Sequence, residues 1–193
     1  MAQCMIIPTY WSTSDIPSWK IFDHPIPIGE EGTLGRTLEN IESSGYPDPV
    51  IVFPVPTDNR IEARVKEISR NRSLNIHVFD SADLLSICQR LQDGGFPLSL
   101  LEAIHMDSYG GVRNMGLLYA ALHGFDTIIM IDDDECIGPG YREAALRFMG
   151  ESWGGTTVLG KTGCVIDSKG NKFYDGQISE ALEGWPKDEL FNR

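Results

Sequence analysis

The residues best suited to chemistry in this 193-residue chain are three consecutive carboxylates, Asp132-Asp133-Asp134, directly after the apolar run Ile128-Ile129-Met130-Ile131. Adjacent carboxylates at the end of a buried segment repel one another, by about 1 kcal/mol per pair in water and more where water is partly excluded. A hard divalent cation with oxygen ligands relieves that repulsion. Mg²⁺ or Mn²⁺ keeps several waters and shares its remaining positions with phosphate oxygens, so one or two carboxylates suffice. Side chains alternate along an extended segment, which sends Asp132 and Asp134 one way and Asp133 the other. A solvated acidic turn is the plainer alternative. The apolar strand feeding the cluster favours a site.

A second constellation, Gly110-Gly111-Val112-Arg113-Asn114, reads as the opening of a helix. Free backbone N–H groups and the helix dipole favour an anion there. An arginine in the first turn is misplaced on dipole grounds, and a phosphate ligand would justify it. Paired glycines alone are a weak signal, equally compatible with a surface turn. Thr9 and Tyr10 follow a short apolar run and are candidates to hold a base by stacking, although an exposed tyrosine after a strand is more often plain surface. His24, His77, His105 and His123 show no metal-ligand spacing, and no Ser-His-Asp arrangement can be assembled from local motifs.

The elements that must position these residues alternate between strand and helix. Cys4–Ile7 reads as a buried strand that stops at Pro8, and residues 8–32 as a long loop rich in Pro, Ser and Trp. Thr33 caps a helix with Leu34, Leu38 and Ile41 on one face, and Gly45 stops it. Val50–Val55 is a second strand, and Ile61, Val65 and Ile68 mark a second helix. Ile76–Phe79 is a third strand ending at Asp80. Residues 81–104 look helical twice over, split at Gly94-Gly95 and Pro97. A helix from about Gly111 precedes a fourth strand, Thr127–Ile131. Beyond the triple Asp, Pro139–Met149 looks helical, while Thr156–Ile166 and Lys172–Tyr174 look like strands around a turn at 167–171.

This alternation implies an α/β fold, a Rossmann-like mostly parallel sheet with helices on both faces, in a single domain spanning residues 1–193. Ligands of such sheets collect at the carboxyl ends of the strands. Thr9-Tyr10, Thr57-Asp58, Asp80 and the triple Asp all follow strand ends and should share one edge.

A formal net charge of −12, with 41% hydrophobic and 23% charged residues, argues against a nucleic-acid or anionic-membrane surface. No run is long enough to span a bilayer, and no basic-then-apolar leader opens the chain. Cys4, Cys88, Cys136 and Cys164 lack Cys-x-x-Cys spacing, so free thiols in the cytoplasm are the default.

Ile6-Ile7-Pro8-Thr9-Tyr10 resembles the opening strand of family-2-like glycosyltransferases of the GT-A fold, and the segment from Thr33 to Ile41 is similar to the helix after it. Arg113-Asn114-Met115-Gly116-Leu117, then Ala120-Ala121, Gly124-Phe125-Asp126 and Ile129-Met130-Ile131-Asp132-Asp133-Asp134, resembles the family's "RNxG … DxD" block, the most specific part of a match reaching from residue 4 to 134. The resemblance implies a nucleoside diphosphate sugar donor, UDP- or GDP-linked, and Mn²⁺ or Mg²⁺. It implies donor contacts from Pro8, Thr9, Tyr10, Asp58 or Asp80, Arg113, Asn114, Asp132 and Asp133, and metal contacts from Asp132 and Asp134. The cation would neutralise charge on the leaving nucleoside diphosphate.

The chain departs from the pattern in two places. Phe53-Pro54-Val55-Pro56 intervenes where the family has an Asp ending its second strand, and residues 81–108 lengthen the segment before the Arg-Asn block. An inverting member draws its catalytic base from a later acceptor loop. Here Glu180, Glu183, Asp188 and Glu189 are the candidates, and a solvated helix face explains them better, so acceptor-binding sequence is expected to be short or absent. Trp153, Tyr174 and Trp185 would suit an acceptor groove or a core equally. Two other functions are open: a nucleotidyltransferase making the sugar nucleotide, and a non-catalytic nucleotide-sugar-binding module. Pro8-Thr9-Tyr10-Trp11-Ser12 is neither Gly-rich nor basic, which counts against the first.

Overall fold

The computed structural model describes residues 2–16, 24–97, 105–106 and 108–163. The chain divides into two compact units, Met1–Tyr141 and Arg142–Arg193. In the first unit β1 (Gln3–Ser12), β2 (Ile26–Pro27), β3 (Val50–Val55), β4 (Ile76–Val78) and β5 (Thr127–Met130) form one sheet in which every pairing is parallel. The first unit is therefore α/β. β1 lies at the centre. It pairs with β3 on one side, and β4 continues the sheet beyond β3. It also pairs with β5 through residues 3–6 and with β2 through Trp11 and Ser12.

The alternation of side chains along β1 explains how both faces are covered. Cys4, Ile6 and Tyr10 join Ile51, Phe53 and Val55 of β3 in a core with α3 (Ser81–Asp93) and α4 (Tyr109–Leu122). Phe53 stacks on Phe79 with ring centroids 4.5 Å apart. Met5, Ile7, Val50 and Val52 are fully buried but belong to the opposite set. So do Leu34, Leu38 and Ile41 of α1 (Leu34–Ser43) and Ile61 and Val65 of α2 (Asn59–Ser69), with α1 and α2 in contact. Burying a branched aliphatic side chain is worth roughly 1.5–3 kcal/mol, so these two layers fix which way every residue at the strand ends points.

Several expected boundaries shift. β1 runs on to Ser12 because β2, inside what reads as loop, pairs with its last two residues. Tyr10 is consequently a strand residue, 5% exposed, and not a surface ring beyond the strand. Helix α4 starts at Tyr109, capped by Ser108, whose hydroxyl accepts from the Gly111 N–H at 3.0 Å. Gly110-Gly111 lies in the first turn, as expected of a helix opening, whereas Arg113 falls in the second turn and not the first. The cap residue, inconspicuous beside the glycines, sets that start.

The second unit contains most of α5 (Tyr141–Leu146) and a hairpin of β6 (Ser152–Trp153) and β7 (Thr156–Thr157), turned at Gly154-Gly155. Lys161 donates to the carbonyls of Ala144 and Arg147 near the end of α5. The strand expected from Thr156 stops at Thr157, since its partner is the two-residue strand before it. The expected turn at 167–171, the strand Lys172–Tyr174 and the residues Tyr174, Glu180, Glu183, Trp185, Asp188 and Glu189 lie outside the described residues. Among the described residues no helix is long and apolar enough to cross a membrane.

Candidate functional site

At the carboxyl edge of the sheet, Ile131 closes the β5 pairing by donating its N–H to the Ile6 carbonyl at 3.2 Å. The register of β5 then fixes the carboxylates beyond it. Ile128 and Met130 face the α3–α4 core, and Asp132 continues on that side towards Arg113 of α4. Ile129 and Ile131 face the α1–α2 side, and Asp133 continues there towards Thr9. Asp134, next along, is exposed. Asp132 and Asp133 are therefore separated in direction, and Asp134 differs from both by its exposure.

Asp133 is the inward one. It accepts from the Thr9 hydroxyl at 2.5 Å, and Thr9, itself fully buried, accepts from the Trp11 indole N–H at 2.9 Å. The Thr37 hydroxyl of α1 donates to the Asp133 backbone carbonyl at 2.6 Å. Burial pushes the Asp133 carboxyl up to about 6, against the hydrogen bonds from Thr9 and Thr33. Through its carboxylate and its backbone carbonyl, Asp133 ties the loop to β1 and α1.

Asp132 is the paired one. Arg113 Nη2 donates to Asp132 Oδ1 at 2.9 Å and also to the Tyr109 hydroxyl, and the guanidinium lies 4.2 Å from the Tyr109 ring centroid. Burial opposes the arginine's charge, yet Asp132 and Tyr109 outweigh it and hold Arg113 above its usual value. Glycine makes this approach feasible: a Cβ on Gly116 would come within 3.0 Å of Met130 and 3.1 Å of Ile6, so α4 sits close against β1 and β5. Asn114, by contrast, is exposed on the next position of α4.

The loop itself is fixed from several directions. The Asp132 N–H donates to Glu135 at 3.1 Å, and the Ile137 N–H donates to the Asn40 side chain at 2.7 Å. Burial raises the Glu135 carboxyl above its ordinary value, helped by Asp132 and Asp134. Thr37, Asn40, Tyr109 and Glu135 carry no motif that marks them in the sequence as site residues. For Thr37 a signal exists, a polar residue on the apolar stripe between Leu34 and Ile41.

The remaining strand-end candidates are engaged elsewhere. Asp58 is the N-cap of α2, accepting from the Arg60 and Ile61 N–H groups, and Arg60 bridges it to Asp15 at 2.9 Å. The Arg60 contact holds the Asp58 carboxyl below its ordinary value. Asp80 caps α3 in a reciprocal box with Asp83 and pairs with Lys66 at 2.7 Å, which lowers its carboxyl likewise. Pro8 lies within β1, in register with Phe53.

Among the described residues no three His, Cys, Asp or Glu side chains converge as a ready cage. A cation that shares its shell with diphosphate and water needs no such cage. A Mg²⁺ or Mn²⁺ ion here would draw on the oxygens of Asp134 and the second oxygen of Asp132. Asp133 would not contribute, being turned inward onto Thr9. No protein-family model matches the chain, and no curated protein matches it.

Proposed function

We propose that the first unit binds a nucleoside diphosphate sugar, UDP- or GDP-linked, with Mn²⁺ or Mg²⁺, and that the protein is a GT-A-type glycosyltransferase of the cytoplasm. The observation that carries this reading is the Arg113–Asp132 pair beside an exposed Asp134, at the carboxyl edge of a parallel sheet. A cation bound there supplies Lewis-acid neutralisation of the leaving diphosphate. Asp132 and Asp134 would hold it. Arg113 presents a planar fork matched to phosphate oxygens. Asp133, Thr9 and Thr37 keep the loop from moving, so the two ligand carboxylates stay in place as charge develops.

The test is a calorimetric titration of UDP, GDP, CDP, TDP and ADP into the protein, with Mn²⁺ and then with chelator. Manganese-dependent binding of one of them supports the donor site and names its nucleoside. Absence of binding by all five, in both conditions, would remove the basis for this reading.

A further inference from the structure

Resting on the donor-site reading, we propose that Arg113 gates the metal: guanidinium and cation compete for Asp132, and an incoming diphosphate decides the contest by drawing Arg113 away. The pair has 26% and 37% side-chain exposure for Arg113 and Asp132, so solvent screens it less than a surface pair. Three contacts hold the guanidinium, from Asp132 Oδ1, the Tyr109 hydroxyl and the Tyr109 ring. The Asp132 backbone is held in place, its N–H engaged by Glu135 and the next residue anchored to Thr9 and Thr37. The movable partner is the long arginine side chain.

A diphosphate carries more negative charge than one carboxylate and accepts a guanidinium in two-pronged fashion. Its arrival takes Arg113 off Asp132 and at the same moment supplies phosphate oxygens for the cation. Metal and nucleotide affinity are thereby coupled, and the coupling is reciprocal. Metal alone meets a carboxylate already neutralised.

The experiment measures binding of Mn²⁺ alone, by the spin-resonance signal of the free ion, to the full chain and to Arg113→Gln and Tyr109→Phe. The expected result is Mn²⁺ affinity raised about fivefold in Arg113→Gln. In Tyr109→Phe, which keeps every charge and frees one tether of the guanidinium, affinity should rise about twofold. Wild-type Mn²⁺ affinity in both variants overturns the gate. So does a rise confined to Arg113→Gln, which then reflects only the loss of one positive charge. A parallel titration of UDP and GDP with Mn²⁺ separates gate from donor site. Manganese-dependent nucleotide binding without the metal-affinity changes leaves the donor site standing and removes the gate. Failure of metal and nucleotide to bind any of the three proteins removes both.

Discussion

Asp58 after β3 and Asp80 after β4 stand at the same edge of the same sheet as Asp132–Asp134 after β5, yet the two groups are engaged by different partners. The difference lies in the segment that each strand leads into. Helices α2 and α3 start immediately after Asp58 and Asp80, and a carboxylate in that position is the natural acceptor for the first unpaired N–H groups. Basic partners, Arg60 and Lys66, then complete its neutralisation. No helix starts directly after Asp134; the next begins at Tyr141. Carboxylates there have no cap to make, and their repulsion is relieved one at a time, by Thr9 for Asp133, by Arg113 for Asp132 and by solvent for Asp134. An acidic residue after a strand is thus a cap by default, and becomes a site candidate where no helix claims it.

The sharpest way to break this contrast is Asp134→Ala. Because Asp134 is exposed, thermal stability should stay within about 0.5 kcal/mol of wild type, while manganese-dependent nucleoside diphosphate binding falls by about 100-fold. Wild-type affinity in calorimetry would place Asp134 with the solvated turns. Asp133 should behave in the opposite way. Asp133→Ala strands the buried Thr9 hydroxyl and should lower stability in urea unfolding by about 2 kcal/mol. Asp133→Asn keeps an acceptor for Thr9 and should cost less than about 1 kcal/mol. Equal losses in the two variants would mean that packing, not the hydrogen bond, matters there.

Asp80→Ala removes a helix cap and should cost about 1 kcal/mol without altering nucleotide binding. An effect on binding with stability intact would move Asp80 into the site. The smallest effect concerns acid. The carboxyls of Asp58 and Asp80 lie below their ordinary value of 3.8 in the folded protein. Their ionised forms therefore stabilise the fold above that pH, and the contribution fades as pH falls through the folded values. In an Asp58→Asn, Asp80→Asn double variant this component should be absent, so the stability gap to wild type should narrow below about pH 3.8 and be flat above it.

Much of the sheet was legible because its strands are short apolar runs ending in punctuation. Val50–Val55 reads directly from its β-branched residues, and the triple Asp reads from the strand before it. Periodicity gave the buried stripes of α1 and α2. The less legible features depend on distant partners. The extension of β1 to Ser12 needs Ile26 and Pro27, and nothing local to Tyr10 announces them. The start of α4 is set by one serine hydroxyl, whereas the glycines after it serve closeness: a Cβ on Gly111 would lie 2.4 Å from the His105 carbonyl. Within the site, the carboxylates were visible as a run, but their division of labour was not, because Thr9 and Thr37 reach Asp133 across 124 and 96 residues of sequence.

The central position of β1 also bears on how the chain is made. Gln3–Ile6 must wait for Thr127–Met130 before one of its edges is paired, although β3 arrives far earlier. At ordinary ribosomal rates that interval is on the order of ten seconds. During it, the nascent protein carries an apolar strand with a free row of amide and carbonyl groups, the kind of edge to which other chains add. Closing the sheet and fixing the Asp132–Asp134 loop are one event, since Ile131 pairs with Ile6 in the same register. A chain released before residue 131 would therefore lack its candidate site and expose its stickiest edge together.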